Sequence, residues 1–336
     1  MGEARSTSSI MITWTASTDN VGVIGYQFYR GNTQLGVTPS PDWLDTGLAA
    51  DTAYTYRARA IDAAGNLSPF SATLTARTQA NTPPTPGNQC QSNPESCGFP
   101  GPNNTGATTT TTTLNGNQVF NTAGARIVNT RINGCVEVRA ANVTFRNVFV
   151  NGSSGCFWVV QNFSTGLQII DSTITGNGGN GTCIGSSGVS VLRTEITGCE
   201  NGFNVSGSTT VTDSWIHDLT TANGAHTDGA QFNQGASSII IQHNTIIVPT
   251  PGSTSAIIMW DEGGTQNSNV TIASNLMAGG TYTLYCPRQG PVSNIQIVNN
   301  RFGTFEFGYA NGCTGNHITT WSGNVRDSNG TSLPGA

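Results

Sequence analysis

Between His217 and Arg288 the sequence gathers side chains able to move protons or hold a cation. Three of its four histidines stand there, His217, His226 and His243, with Asp218, Asp228, Asp261 and Glu262, and Asp213 lies just upstream. In His226-Thr227-Asp228-Gly229 an imidazole precedes a carboxylate by two residues, and the glycine leaves backbone room for a ligand. Asp261-Glu262-Gly263-Gly264 sets two adjacent acids on a glycine-flanked loop. Together with Asp228 they could share a Ca²⁺, which favours several carboxylate and carbonyl oxygens. They could instead serve as paired carboxylates in glycosidic bond cleavage. Arg288, behind Cys286-Pro287, is the one arginine between Arg193 and Arg301. Trp260 and Tyr285 could stack on sugar faces, and His217, Asn204, Gln231 and Asn233 could complete a substrate surface. Each has a plainer alternative: an Asx turn at Asp228, a solvated acidic loop, a salt bridge at Arg288, aromatic caps on a core. His243 replaces the Asp or Arg of neighbouring repeats and reads as a turn residue outside the site.

These groups are far apart in sequence, so a repeating architecture has to bring them together. From Ile127 onward a short phrase recurs, as in Phe145-Arg146-Asn147-Val148-Phe149, Ile169-Ile170-Asp171-Ser172-Thr173-Ile174 and Ile241-Gln242-His243-Asn244-Thr245-Ile246. Its closing apolar residue (Ile132, Phe149, Ile174, Ile196, Ile216, Ile246, Met277, Phe302, Val325) returns every 17 to 31 residues. A period in this range, built from β-branched residues, predicts a solenoid of stacked strand coils with one shared core. Asn at the turn (Asn147, Asn244, Asn275, Asn300) tolerates left-handed φ and can bond amide to amide along the axis. A second strand follows each phrase, among them Asn201-Gly202-Phe203-Asn204-Val205, Asp228-Gly229-Ala230-Gln231-Phe232 and Ser255-Ala256-Ile257-Ile258-Met259. Stacked in register, these predict an outward column of Cys183, Asn204, Gln231, Ile258, Tyr285 and Gly308. Asn201 and Asp228 fall at the strand entrances, and Asn233, Asp261, Glu262 and Arg288 on the loops that leave. The repeats resemble the right-handed parallel β-helix of pectate-lyase-like proteins over residues 114–336.

Residues 1–80 read differently. Short alternating strands such as Ile10-Met11-Ile12-Thr13-Trp14 and Tyr54-Thr55-Tyr56-Arg57-Ala58-Arg59-Ala60 predict a small β-sandwich. The runs ITWTAS, GYQFYRG and DTGLAADTAYTYRARAIDAAGNLSPFS resemble a fibronectin type III domain of the kind found beside secreted bacterial glycan-degrading enzymes. Trp14 matches the core tryptophan, and Leu48 with Tyr54 the tyrosine-corner pair. Trp43 reads as core packing ahead of sugar binding. Residues 81–113, with Pro83, Pro84, Pro86, Cys90, Cys97 and a threonine run, read as a linker. The expected fold is therefore all-β: a small fibronectin type III β-sandwich followed by a parallel β-helix.

Composition narrows the function. There is no lysine, net charge is −5 and charged residues make up 9%, which disfavours a nucleic-acid surface. Apolar runs are too short to span a membrane. Eight cysteines without a C-x-x-C pair suggest disulfides between neighbours: Cys90 with Cys97, Cys135 with Cys156, Cys183 with Cys199, Cys286 with Cys313. The expectation is a secreted, monomeric protein whose partner is a polysaccharide; Met1-Gly2-Glu3 reads as a trimmed start. For the β-helix, the resemblance implies a lyase that abstracts a proton from a uronate, with Ca²⁺ on Asp228, Asp261 and Glu262 and with Arg288, His226 or Tyr285 as base. A glycoside hydrolase using Asp228 with Asp261 or Glu262 is the alternative, and a non-enzymatic adhesion solenoid the third. Fold-level analogy leans to the lyase.

Overall fold

A computed structural model describes residues 2–4, 9–38, 41–46, 48–49, 51–78, 90–153, 155–178, 181–221, 226–259, 267–287, 293–314 and 318–335. The chain divides into two compact units, residues 1–83 and 84–336. Among the described residues no helix is long and apolar enough to cross a membrane.

The first unit is a fibronectin type III sandwich. A three-stranded antiparallel sheet (Gly2–Ala4, Ser9–Thr13, Asp42–Thr46) faces a four-stranded one (Thr33–Thr38, Val23–Arg30, Ala53–Asp62, Leu74–Arg77). Alternation along Ala53–Asp62 turns Tyr56, Ala58 and Ala60 inward. Trp14 and Trp43 both stack on Phe28, at 5.4 and 5.3 Å, so Trp43 is a core residue. Ala49 N donates to the Tyr54 hydroxyl at 2.9 Å, which closes the tyrosine corner.

The second unit is a right-handed parallel β-helix. One wall is a nine-stranded sheet in which every pairing is parallel, running from Gln118–Phe120 to Gly308–Asn311. The remaining strands close the coils as two further parallel walls, such as Thr209–Thr212 and Trp215–His217. Isoleucines stack from coil to coil inside (Ile174, Ile196, Ile216, Ile246), all 0–1% exposed. All four expected disulfides are present.

At one corner a buried asparagine ladder fixes the coil height. Asn244 N donates to Asn275 Oδ1 at 2.9 Å, Asn275 N to Asn300 Oδ1 at 3.0 Å, and Asn300 N to Asn324 Oδ1 at 2.9 Å. Hydroxyls extend it: Ser214 N donates to Asn244 Oδ1 and Thr194 N to Ser214 Oγ. The left-handed residue is the one before each ladder position (His243 φ 53°, Ser274 φ 54°, Asn299 φ 57°), so amide stacking and left-handed φ, expected of the same residue, are divided between neighbours. Asn147 belongs to the left-handed set (φ 51°), and its amide donates to Asn129 Oδ1.

Residues 90–113 are not a free linker. Cys90 N and Gln91 N donate to the Asp327 carboxylate at 3.1 and 3.0 Å, and Phe99 packs over the His243 ring at 5.8 Å. Gly106 N then donates to Arg193 O, Ala107 N to Thr173 Oγ1, Thr108 N to Asn147 Oδ1 and Thr111 N to Asn129 O. The segment is a strap laid along the turns, and it ends by adding Thr112–Asn115 as a parallel strand on Arg126–Asn133. His243 thus pairs with Asp213 at 2.6 Å beneath the strap and stays outside the site. Phe99 is buried with Cys90 and Leu276. Phe99→Ala is expected to cost about 3 kcal/mol, and limited proteolysis should then cut within 90–111 before the coils are attacked.

Candidate functional site

The outer face of the nine-stranded sheet is built from columns one coil apart. Register pairs Gln161 with Gly185, Gly185 with Asn204, Asn204 with Gln231, Gln231 with Ile258, Ile258 with Tyr285, and Tyr285 with Asn311. The expected column holds at Asn204, Gln231, Ile258 and Tyr285 and slips at both ends. Cys183 is fully buried and bonded to Cys199, and Gly308 instead pairs with Tyr282. The slip comes from the strand entrance. Two successive residues, such as Ala256 and Ile257, face the core there, which breaks the simple alternation. At Gly229 the fit is tight: a Cβ would lie 2.4 Å from Ile246 Cγ2.

That glycine faces the core and turns Asp228 away from it, to the strand entrance. Asp228 is nonetheless only 1% exposed. Ser255, its register partner, donates to Asp228 Oδ1 at 2.6 Å, and Asp228 N donates to Asn201 Oδ1 at 2.8 Å. Burial pushes the carboxyl up to about 7; the Ser255 hydrogen bonds oppose this and the charge of Glu200 adds to it. Asp228 therefore keeps its proton at mildly acidic pH, within reach of the charge of Glu200. Glu200 is half-buried. It stands one residue before Asn201, which lies opposite Asp228, so only the stacking of the strands brings its charge within reach.

His226 is exposed, and among the described residues no hydrogen bond joins it to Asp228, so the expected imidazole–carboxylate pair is not formed. Asn204, Gln231 and Tyr285 are half-buried on the face. Asn233, where the chain leaves it, donates to Ser206 Oγ at 2.8 Å. Trp260, Asp261, Glu262 and Arg288 lie outside the described residues. Of the three acids expected to share a Ca²⁺, Asp228 alone lies among the described residues.

His217 is not part of this face. Its strand, Trp215–His217, lies in another wall of the coil. Its ring stacks on Trp215 at 3.4 Å between Asp218 (2.8 Å) and Glu195 (3.3 Å). The His217 hydrogen bond is the main reason that the Glu195 carboxyl sits below its usual range; burial opposes it and the Thr173 hydroxyl, at 2.9 Å, assists. A cavity of about 520 Å³ separates this cluster from Glu95 and Asn103 of the strap.

Of two aromatic groups on the face, sequence reasoning singled out Tyr285 alone. Phe157 and Trp158 meet edge to face at 5.2 Å near one end, and Tyr282 contacts Tyr285 and Phe307 at 5.4 and 6.2 Å near the other. The available signal was an aromatic residue beside a cysteine in each place, Cys156-Phe157-Trp158 and Tyr285-Cys286.

No protein-family profile matches the chain. Among curated proteins it is similar to an exoglucanase B of Cellulomonas fimi (55% identity over 69 residues), an α-amylase of Niallia circulans (53% over 73) and chitinase A1 of the same organism (48% over 79). These stretches, of fibronectin type III kind, are 20%, 22% and 24% of this chain and 6%, 6% and 11% of those proteins. The chain thus spans a small part of the curated relatives it matches. Among solved structures, an exopolygalacturonase of Yersinia enterocolitica is 13% identical over 90% of this chain and 80% of its own, with a TM-score of 0.31. A pectate lyase of Erwinia chrysanthemi is 15% identical over 87% of both chains, with a TM-score of 0.20. Neither bears on the chemistry.

Proposed function

We propose that this chain is a secreted polysaccharide-cleaving enzyme that works at the outer face of the nine-stranded sheet, by hydrolysis, with Asp228 as proton donor and Glu200 as the second carboxylate. One observation carries the reading. A carboxyl pushed up to about 7 by burial sits at the entrance to a polar, aromatic-flanked face, within reach of the charge of Glu200. Glycoside hydrolysis asks for that division of labour: one acid protonates the departing oxygen while a carboxylate acts at the anomeric carbon or on a water. Asp228 is covered in the resting structure, so the glycan must open the strand entrance before the proton transfers. Four disulfides suit an oxidising compartment. The exoglucanase and chitinase that share the smaller unit's sequence support a glycan-degrading setting.

Elimination is the second reading, because Tyr285 does stand on the face and could serve as its base. The two part on their products. Neutral and uronate-containing polysaccharides, incubated with and without EDTA, are expected to yield new reducing ends without the ultraviolet absorbance of an unsaturated uronide. That absorbance would establish elimination, its loss in EDTA a metal requirement, and no cleavage of any polymer a binding solenoid.

A further inference from the structure

The face described above is long, and its ends match. Trp158 and Tyr282 occupy the same column of the sheet, five strand spacings apart, or about 24 Å. Each ring lies against a glycine. A Cβ on Gly185 would sit 2.0 Å from the Trp158 ring, and one on Gly308 would sit 2.8 Å from that of Tyr282. Beside them Phe157 is 69% and Phe307 68% exposed, a large apolar surface to leave in water without a use. Each group is also anchored by a disulfide: Cys156, next to Phe157, bonds Cys135, and Cys286, next to Tyr285, bonds Cys313.

Between the two groups the outward column is Gln161, Gly185, Asn204, Gln231 and Ile258, which carries no formal charge. The one arginine placed beside this face among the described residues, Arg139, is engaged by Glu137 at 2.7 Å. A polyuronate brings a carboxylate on every sugar and needs cations to meet them. This face offers amides, aromatic rings and, at the strand entrance, the acid Glu200, which would repel it. Sugar C–H faces stack on aromatic rings, and hydroxyls bond to amides.

From this we infer that the face binds an uncharged glycan laid along the coil axis, held at its two ends by the Trp158 and Tyr282 groups, with the acids between them, so that attack falls within the chain. The inference rests on the hydrolytic reading for its last clause only; the binding stands by itself. Affinity electrophoresis of the full chain tests it without turnover, using galactomannan, xyloglucan, arabinoxylan and mixed-linkage β-glucan against polygalacturonate and alginate at 150 mM salt (about physiological ionic strength). At least one neutral polymer should retard the protein and neither polyuronate should. Trp158→Ala and Tyr282→Ala should each weaken that retardation about tenfold, and Trp158→Tyr should restore most of it. Phe307→Ala, at an exposed position that cannot threaten the fold, should weaken it severalfold. Retardation by a polyuronate, no retardation by any neutral polymer, or unchanged retardation of all the variants would overturn the inference. A protein that binds as stated and cleaves nothing would keep the site and remove the reaction.

Discussion

Asp228→Asn is expected to lower glycan cleavage by about 10²–10⁴-fold, the usual worth of a positioned proton donor, while binding to the face stays within about twofold. The amide keeps the shape of a neutral carboxyl and can still accept from Ser255 Oγ, so the loss would be of the proton and not of the fold. A stability measurement separates this from a merely structural acid. The Asp228 carboxyl titrates at about 7 in the folded protein against 3.8 unfolded, chiefly because burial disfavours the charge. Folding therefore takes up a proton between those values. The contribution of Asp228 to stability is greatest below pH 4 and falls as pH rises through the window, by about 4 kcal/mol in all. The variant lacks this slope. Denaturant unfolding at pH 4.5 and 7.5 should show wild type losing stability relative to Asp228→Asn by that order. Equal slopes would mean that Asp228 is ionised in the fold and cannot be the donor. Glu200→Gln should also depress cleavage. By removing a like charge it should lower the Asp228 titration, which moves the alkaline limb of the activity profile to lower pH.

How much of this was legible beforehand follows from where each feature gets its cause. The coil stack was readable because its causes are local: β-branched residues at fixed offsets, and asparagine at a corner where an amide can serve the next coil. The strap was not. Residues 90–113 are rich in proline, glycine and threonine and look unstructured, and what orders them lies far away, as when Asp327 accepts from Cys90 N across 237 positions. The outward column was right where strands alternate simply and wrong at Cys183 and Gly308, because consecutive inward residues at the strand entrance shift the parity. Asp228 stands out by its motif, whereas Glu200 has none and enters the proposed site only through the stacking of coils. His217 failed for the opposite reason: its closeness to Asp228 in sequence hides a change of wall between Trp215–His217 and Asp228–Phe232. Trp260, Asp261, Glu262 and Arg288, the loop half of the expected site, fall outside the described residues.

Asn275→Ala should be among the most destabilising single changes in the coil stack, about 3–6 kcal/mol. Asn275 is fully buried, and its amide answers three neighbours at once. Its Oδ1 accepts from Asn244 N at 2.9 Å and Asn244 Nδ2 at 3.0 Å; its Nδ2 donates to Ile241 O at 2.8 Å and Asn300 Oδ1 at 3.0 Å. Alanine would leave the Asn244 N–H buried without a partner, take the side-chain bond from the Ile241 carbonyl, and open a void with few atoms able to fill it. The effect should reach the site, because the coils that this rung spaces are those whose next strands carry Ser255 and Tyr282. The ladder supplies its own control. Ser214 fills the equivalent place and accepts from Thr194 N at 3.1 Å, so Asn275→Ser should recover about 1 kcal/mol of the loss through that one bond. Asn294→Ala, which removes exposed bonds to Asn269 at 3.2 Å and Gln296 at 3.0 Å and sets alanine at a φ of 55°, should cost only about 1 kcal/mol. If chemical denaturation ranks Asn275→Ala with Asn294→Ala, the ladder is not what spaces the coils, and the spacing that sets Asp228 against Ser255 must come from the isoleucine stack alone.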